Sequence, residues 1–319
     1  MLVNTLSGLE SLLKQLRHSG IFALDMEGRE LGAANGKLSV ISFRTLDDAT
    51  YLVDVLAFTT GQLQPLFSLL ADSSVTKLVW DGRMDASELL HGYGVQLRGA
   101  VDLQIADIMA RRKRESFYDQ KRRLSRGYRG IPASLITEAE FADVHRLNGL
   151  RGAAEDYGVI QRPVGLRGPQ GPKFDHSRWL QRPLTAEQIA YATEDVDMIL
   201  ALYRIFKTRG DIQEEDLKRQ TEMYHSIHSS RRPDGSNAYL RHSLMPLDIL
   251  DLPPPDSSLT PCNGCRRALS QRCFSSSSYH RKCFVCSAMD KEQVKPAGMQ
   301  GRGVRYGQRS DLFGGLLFA

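Results

Sequence analysis

Two carboxylates, Asp25 and Glu27, follow an apolar run in the segment IFALDMEGRE (21–30). The run predicts a buried strand over 21–25, and because side chains alternate along a strand, residues two apart point to the same side. Carboxylates held together repel each other unless a proton or a cation lies between them. We therefore expect a proton- or cation-binding site where this strand ends.

Three further polar residues that could take part in chemistry lie in predicted helices. Asp85 is the second residue of the predicted helix MDASELLHGYG (84–94), and Tyr191 and Asp195 are four residues apart in a predicted helix, on one of its faces. Taken singly, Asp85 fits an exposed helix acid or a first-turn cap, and Tyr191 and Asp195 fit an ordinary helix face. With Asp25 and Glu27 they supply four carboxylates and a phenol.

All five cysteines lie between residues 262 and 286, where they form one local pattern. Two C-x₂-C pairs are separated by 17 residues, which is a zinc-ribbon spacing. Four thiolates surround Zn²⁺ tetrahedrally and leave no open position, so the site would be structural. Cys273 and His280 are alternative ligands, and unligated cysteines are the alternative to a metal site. The expected Zn²⁺ ligands are Cys262, Cys265, Cys283 and Cys286.

Charge is distributed unevenly along the chain. Residues 1–110 contain 8 Lys/Arg and 13 Asp/Glu, whereas residues 111–182 contain 16 and 8. An acidic segment beside a basic one fits a cation-binding centre with a contact for a polyanion, and solvated surface charge is the alternative. The segment 111–129 also contains Phe117, Tyr118 and Tyr128, and it is interpreted either as a basic nucleic-acid-binding arm or as a disordered loop. The candidate nucleic-acid contacts are Arg111, Arg112, Lys113, Arg114, Lys121, Arg122 and Arg123.

The order of predicted elements indicates an α/β sandwich with a mixed sheet. Strands are predicted over 21–25, 37–45, 50–56, 76–81 and 99–102, the second and third forming an antiparallel hairpin. Helices are predicted over 5–18, 61–71, 84–94 and 147–158. A further helix is predicted within PLTAEQIAYATEDVDMILALYRIFK (183–207), and it begins with a capping box formed by Thr185 and Gln188.

In order and context, these motifs resemble the DEDD superfamily of 3′–5′ exonucleases, in the tyrosine-bearing branch of RNase D and Werner-type exonuclease domains. LDMEG (24–28), KLVWDGRMDASELLHGYGVQLRGAVDLQIAD (77–107) and WLQRPLTAEQIAYATEDVDMILALY (179–203) resemble its three motifs. The resemblance covers about residues 5–208. It implies a ribonuclease H-like fold, in which a mixed β-sheet is flanked by α-helices.

The resemblance also implies a reaction, the hydrolysis of nucleic acid from its 3′ end with release of nucleoside 5′-monophosphates. It implies two Mg²⁺ or Mn²⁺ ions, which take hard oxygen ligands and can bind both the attacking and the leaving oxygen of a phosphodiester. In the implied roles, Asp25, Glu27 and Asp195 hold one ion. Asp25 bridges to the second ion, which Asp85 helps to place through water, and Tyr191 orients the attacking water.

We expect an exonuclease domain over 1–210 with a basic insertion at 111–145, a polar linker with a helical start over 211–258, a zinc-ribbon-like module over 259–290 and a disordered tail over 291–319. The expected partner is DNA or RNA with a 3′ end. No apolar run approaches the ~20 residues that span a bilayer, and the N-terminus lacks a signal-peptide pattern. We therefore expect an intracellular protein, in nucleus or cytoplasm, without membrane association.

Two other functions fit parts of the sequence. One is a catalytically weak or inactive RNA-binding or adaptor protein on the exonuclease fold, and the other is a metal-dependent hydrolase of small phosphoesters. The chain departs from RNase D because no helical nucleic-acid-binding module is recognisable after the nuclease motifs, and because the basic insertion is long. The presence of all four acids and the tyrosine favours the enzyme.

Overall fold

The computed structural model describes residues 1–126, 130–161, 174–233, 239, 242–275 and 281–293. These divide into two compact units. The first unit comprises residues 1–107 and 149–233, and the second comprises 108–148 and the described residues from 239 onward. None of the helices that the structure describes is long and apolar enough to cross a membrane.

The first unit contains most of the regular structure, and the chain passes to the second unit within one helix. In chain order the elements are β1 (Leu2–Val3), α1 (Leu6–Ser19), β2 (Ile21–Arg29), β3 (Lys37–Thr45), β4 (Thr50–Asp54), α2 (Thr60–Leu70), β5 (Thr76–Val79), α3 (Arg83–Tyr93), β6 (Ala100–Asp102), α4 (Leu103–Arg114), α5 (Phe117–Ser125), α6 (Glu138–Phe141), α7 (Leu150–Asp156), α8 (Ala186–Thr208), α9 (Glu214–His225), β7 (Leu259–Pro261), β8 (Ala268–Ser270) and α10 (Phe284–Gln293).

The six strands of the first unit form one mixed sheet in the order β1-β4-β3-β2-β5-β6. β3 pairs antiparallel with β2 and with β4, while β1–β4, β2–β5 and β5–β6 are parallel. This confirms the predicted mixed sheet flanked by helices and the predicted hairpin. β2, which carries Asp25 and Glu27, is an inner strand and is therefore held on both edges.

Successive residues of β2 face opposite sides of the sheet, as strand geometry requires. Phe22, Leu24 and Met26 are buried in the core that also contains the leucines of α1 and α2. On the opposite face, Val40 and Leu52 pack with Trp179 and with Ala192 of α8. The acids of β2 alternate with its core residues and so lie on the α8 side.

The predicted capping box at the start of α8 is confirmed. The backbone N–H of Gln188 donates to Thr185 Oγ1 at 3.2 Å, and the N–H of Thr185 donates to Gln188 Oε1 at 2.9 Å. These two bonds satisfy N–H groups that the first helical turn leaves without partners. They fix the first residue of the helix and hence the positions of Tyr191 and Asp195 along it.

β2 is longer than predicted, because its pairing with β3 continues to Arg29. The register shifts between Glu27 and Gly28, which marks a bulge. A Cβ at Gly28 would lie 2.3 Å from the carbonyl oxygen of Lys37, so the close approach of β3 requires glycine here. Asp25 and Glu27 therefore lie within the strand, beside a bulge, and not at its end.

The segment predicted as a polar linker begins with α9, which belongs to the first unit. Leu217, Thr221 and Tyr224 of this helix are buried. The backbone N–H of Asp102, the last residue of β6, donates to Thr221 Oγ1 at 2.9 Å. The helical start is therefore part of the folded sheet domain, which extends beyond the predicted boundary at residue 210.

The basic insertion is helical where we expected a loop or arm. α5 begins with a second capping box, between Ser116 and Asp119, and its Leu124 is buried. This leucine belongs to a core that also contains Phe141, Leu269 and Val285 together with all five cysteines. The insertion and the cysteine-rich segment therefore share one core. Tyr128, His280, residues 162–173 and the tail from 294 lie outside the described residues.

Candidate active site

Three carboxylates from two elements meet on the α8 side of the sheet. One carboxylate oxygen each from Asp25, Glu27 and Asp195 can be chosen so that all three lie within 4.8 Å of one another. The first two come from β2 and the third from α8, in which Asp195 is buried. Glu27 is buried as well, and Asp25 is partly exposed. The structure thus brings together three of the four acids that the sequence singled out.

Burial and mutual repulsion make these carboxyl groups hold protons. Burial raises the pKa of Asp25 to about 7, against a hydrogen bond from the backbone of Met26. The pKa of Glu27 is raised well above its usual value by burial and then by the charges of Asp25, Asp195 and Asp85. The pKa of Asp195 is raised in the same way, by burial and then by Asp25. In the absence of a cation, the protonated forms of these three carboxyl groups are therefore favoured.

The donor set fits a divalent cation. Glu27 Oε1 is buried and has no hydrogen-bond partner among the described residues. A buried carboxylate oxygen without a partner is unfavourable, and a cation is one way to satisfy it. Carboxylate oxygens are the ligands that Mg²⁺ and Mn²⁺ prefer. The residues present therefore fit the expected ions.

Asp85 is buried in the first turn of α3 but does not belong to the three-carboxylate group. Its pKa is raised well above the usual value by burial and then by the charge of Asp25. Asp85 also contributes to the raised pKa of Glu27. It is therefore electrostatically linked to the acids of β2 while lying outside the set that can share one ion directly.

Tyr191 lies one turn before Asp195 on α8. Its ring stacks on Phe174, with centroids 4.3 Å apart and planes at 25°, and meets the His176 ring edge-on at 5.5 Å. Burial, followed by the charges of Asp195 and Glu27, raises the pKa of the Tyr191 hydroxyl. The hydroxyl therefore stays protonated at neutral pH and can donate a hydrogen bond but cannot act as a base.

Phe174, His176 and Trp179 form an aromatic wall beside the acids that sequence reasoning missed. His176 Nδ1 lies 4.0 Å from Glu27 Oε2 and 3.4 Å from Trp179 Nε1. Burial lowers the pKa of His176, so its ring is neutral. The available signal was the stretch FDHSRW directly before the third motif, which concentrates three rings that can line a site.

The loop before α3, which leads to Asp85, is held by Asp102. The fully buried carboxylate of Asp102 accepts the backbone N–H groups of Asp81 at 3.0 Å and Gly82 at 2.9 Å. It also accepts the N–H of Gln104 at 3.0 Å, as expected for a residue that caps α4. Because Asp81 has a φ of 54°, in the sparsely populated left-handed region, these bonds fix a strained turn.

Two comparisons with known proteins bear on these motifs. Residues 1–128 match the family model described as 3′–5′ exonuclease. A ribonuclease D from Gluconacetobacter diazotrophicus is 27% identical over 210 residues. The chain thus contains a domain similar to the 3′–5′ exonuclease domain of RNase D. The matched region is 66% of this chain and 42% of the bacterial enzyme, so the chain spans less than half the length of that relative.

The fold of the RNase D-like domain agrees with solved structures. RNase D from Trypanosoma brucei in complex with RNA U12 gives a TM-score of 0.57 at 20% identity, covering 79% of this chain and 77% of that one. The complex of the same enzyme with GMP gives 0.55 at 21% identity, covering 79% and 70%. At these identities the likeness establishes the RNase D-like fold.

The four predicted zinc ligands lie beyond the residues matched by the exonuclease family model. Their Sγ atoms lie within 4.8 Å of one another, and all four side chains are buried. Cys262 Sγ accepts the backbone N–H groups of Gly264 at 3.4 Å and Cys283 at 3.2 Å. Hydrogen bonds from Cys265 and the other two thiols lower the pKa of Cys262, which favours a thiolate. The cluster is compatible with a structural Zn²⁺.

Cys273 is not part of this cluster. Its Sγ lies 3.2 Å from Asp248 Oδ1, to which it donates. Burial raises the pKa of this thiol to about 12, so Cys273 stays protonated. Of the two alternative ligands, Cys273 therefore has another partner, and His280 lies outside the described residues.

Several of the predicted nucleic-acid contacts have partners within the second unit. Arg111 is buried and donates to the carbonyl oxygen of Arg146 at 2.9 Å. Arg112 pairs with Asp251 at 2.8 Å, and Arg123 pairs with Glu115 at 2.6 Å. Arg114 Nε donates to the carbonyl oxygen of Ala110 at 3.0 Å. These four arginines therefore contact other groups of the second unit and contribute to its fold.

Proposed function

We propose that this protein is a metal-dependent 3′–5′ exonuclease that hydrolyses phosphodiesters from the 3′ end of RNA or DNA and releases nucleoside 5′-monophosphates. The observation that carries the proposal is the convergence of Asp25, Glu27 and Asp195 within 4.8 Å, with Glu27 Oε1 buried and lacking a partner among the described residues. Its position in an RNase D-like domain supports it.

The four acids act as the holders of two Mg²⁺ or Mn²⁺ ions. When bound, these ions activate water and stabilise the charge on the attacking and leaving oxygens of the phosphodiester. Asp25, Glu27 and Asp195 would hold an ion directly, and Asp85, which lies outside the three-carboxylate group, would help to place the second ion. A bound cation would favour the charged forms of these acids, whose pKa values are raised without it.

Tyr191 positions the attacking water by donating a hydrogen bond from its neutral hydroxyl. Its ring is fixed by stacking on Phe174, and the helix places it one turn from Asp195. Such orientation contributes to rate because a reacting water that is correctly placed needs less reorganisation. The raised pKa of the hydroxyl keeps the proton that this role requires.

RNA is the first substrate to test. The Trypanosoma brucei RNase D structures with RNA U12 and with GMP support an RNA substrate and a monophosphate product by analogy. Of the predicted nucleic-acid contacts, Lys113, Lys121 and Arg122 are proposed as contacts for the phosphates, and the cysteine cluster as a structural Zn²⁺ site of the second unit.

The test uses oligonucleotides of RNA and of DNA, labelled at the 5′ or the 3′ end, with added Mn²⁺ or Mg²⁺. We expect stepwise shortening from the 3′ end and release of labelled nucleoside 5′-monophosphate. Asp25→Asn should reduce the rate by orders of magnitude because it removes a direct ligand. Glu194→Gln is the matched control, since Glu194 adjoins Asp195 but is exposed and paired with Arg151.

Absence of shortening for every RNA and DNA tested, with folded protein and added Mn²⁺, would contradict the proposal. If such a protein still bound oligonucleotides tightly, the adaptor function would replace it. Shortening that survives Asp25→Asn but is lost in Glu194→Gln would likewise exclude the proposed site.

A further inference from the structure

Helix α5 has one face fixed in the core of the second unit. Phe117 and Leu124 pack in that core. The side-chain amide of Gln120, on the same side, donates to the carbonyl oxygens of Phe141, Ala142 and Val144 at 2.7, 3.1 and 2.8 Å. These contacts determine which way the helix faces, so its opposite side is held towards solvent.

The opposite side presents the exposed side chains of Tyr118 and Arg122, and the half-buried Lys121 lies beside them. Tyr118, Lys121 and Arg122 stand at positions i, i+3 and i+4, which are neighbours on a helix surface. Tyr118 is 72% exposed, more than any other large hydrophobic side chain among the described residues. We call these three residues the outer face of α5.

The cations of the outer face are not held in ion pairs with described residues, although the charge of Arg122 acts on the carboxylate of Asp119. Lys121 and Arg122 form no ion pair with a residue that the structure describes. The acid nearest on the helix, Asp119, is engaged by the hydroxyl of Ser116 at 2.7 Å in the capping box. Arg123, in contrast, is paired with Glu115.

The second unit as a whole has the charge of a polyanion-binding module. Its described residues contain 15 Lys/Arg and 10 Asp/Glu, a net charge of +5, whereas those of the first unit contain 18 and 25, a net charge of −7. A partner that is attracted to the outer face of α5 must therefore be negatively charged and must offer a flat apolar surface to Tyr118.

We infer that the outer face of α5 binds single-stranded nucleic acid, with a base stacked on Tyr118 and phosphates at Lys121 and Arg122. This rests on the proposed nuclease function and names its substrate form. An exposed aromatic ring can stack only on a base whose own face is free, which a single strand offers and a duplex does not. Cations on the adjacent turn of the helix are within reach of the flanking phosphates.

The experiment measures fluorescence anisotropy of the full-length protein with labelled single strands of about 20 nucleotides, longer than typical site sizes of about 4–16. Divalent ions are omitted so that the probe is not degraded. RNA, DNA and duplex probes of one length form separate arms. We expect Tyr118→Ala to raise the Kd for single strands by at least about fivefold, at the lower end of the stacking contribution. Tyr118→Phe, which keeps the aromatic ring, should bind single strands with the Kd of the native protein.

The double variant Lys121→Ala/Arg122→Ala should weaken binding and lower the slope of log Kd against log salt by about 1.4, since each single-strand phosphate contact contributes about 0.7. Lys218→Ala/Arg219→Ala on α9 is the control, because it removes the same charge from helix positions of the first unit whose cations are paired with Glu214 and Asp216. In this control variant, the Kd and the slope of log Kd against log salt should change by less than half as much as in Lys121→Ala/Arg122→Ala.

Unchanged single-strand affinity in both outer-face variants would overturn the inference, as would an equal effect in the control pair. Tighter binding of the duplex than of the single strand would overturn it as well. Hydrolysis of short substrates is measured in parallel. If the outer-face variants lose binding but still hydrolyse short substrates, the inference is supported independently of the active site. If the native protein binds single strands but does not hydrolyse them, only the proposed reaction is contradicted.

Discussion

His225 of α9 lies against Asp102 of β6, with Nε2 of the histidine 3.0 Å from Oδ2 of the carboxylate and both side chains buried. The same carboxylate holds the turn that leads into α3 and to Asp85. Tyr224, the preceding residue, places its hydroxyl 2.8 Å from Gln104 Oε1 and 3.3 Å from Asp81 Oδ1. α9 therefore clamps the loop on which one of the four acids depends.

Thr221→Val tests this clamp. The substitution keeps the shape of the side chain but leaves the buried N–H of Asp102 without its acceptor, which should lower the free energy of unfolding by about 1–3 kcal/mol. Urea denaturation measures the change. Thr208→Val is the control, because its exposed hydroxyl bonds only the carbonyl oxygen of Arg204 in the preceding turn. Equal stability of the two variants would show that the bond contributes nothing.

Tyr191→Phe should separate orientation of water from ion binding. Phenylalanine retains the stacking on Phe174 but removes the hydroxyl, so kcat should fall by about 10- to 100-fold, as misplaced catalytic groups do. The concentration of Mn²⁺ that gives half-maximal activity should not change. Tyr203→Phe, about three turns further along α8, serves as control and should keep full activity. A normal kcat in Tyr191→Phe would remove the tyrosine from the mechanism.

The stability of the ion-free protein should fall as pH rises. Burial raises the pKa of Asp25 from 3.8 to about 7, so within that window the folded state binds a proton that the unfolded state has released. The contribution is complete below pH 4 and lost by pH 7. We expect the Tm without divalent ions to decrease from pH 5 to pH 7.5, and added Mn²⁺ to raise it more at pH 7.5. Asp25→Asn should weaken both the fall of Tm with pH and the rise of Tm on adding Mn²⁺. An increase of the native protein's Tm from pH 5 to pH 7.5 would contradict a raised pKa of Asp25.

Gly28→Ala should destabilise the strand that carries the acids. The new methyl group would lie 2.3 Å from the carbonyl oxygen of Lys37, so β3 must move away. Gly61→Ala is the matched control, since nothing lies within 4 Å of that Cβ, and alanine should stabilise α2 by about 0.5–1 kcal/mol. Thermal unfolding compares the two. A Gly28→Ala variant as stable as the native protein would disprove the need for glycine at the bulge.

The zinc content of the Cys265→Ser variant should differ from that of the Cys273→Ser variant. The native protein and Cys273→Ser should each retain one equivalent of zinc after gel filtration, because Cys273 bonds Asp248 and lies outside the cluster. Cys265→Ser should lose most of it, and with it much of the stability of the second unit, since structural zinc contributes folding free energy directly. Atomic emission measures the metal. Zinc retained equally by both variants would refute the four-cysteine site.

The sequence was most informative where a few adjacent residues determine the geometry. Asp25 and Glu27, two apart on a strand, are bound to share a face, and the C-x₂-C pairs place their sulfurs close by local geometry. The mixed sheet followed from the order of strands and helices. Features made by contact between distant segments were not predictable: the bulge at Gly28 depends on how closely β3 approaches, and the clamp on Asp102 depends on where α9 packs.

The helicity of the basic insertion was also missed, for a compositional reason. α5 has only two apolar residues, Phe117 and Leu124, facing its core, and so many charged residues surround them that no apolar period stands out. Phe174 and His176 were missed because they precede the third motif, outside the predicted helices and strands, so no periodicity marked them. In each case, the deciding interaction is tertiary.

The shared core of the second unit has a consequence for how the chain acquires its shape during synthesis. Residues 108–148 leave the ribosome before the whole of 149–233, and the cysteines that complete their core come later still. Until then Leu124 and Phe141 can pack only with apolar residues of their own segment, such as Ile131, Ile136 and Val144, and closing so long a loop is slow. The nascent basic helices therefore keep part of their apolar side uncovered until the last part of the chain has been synthesised.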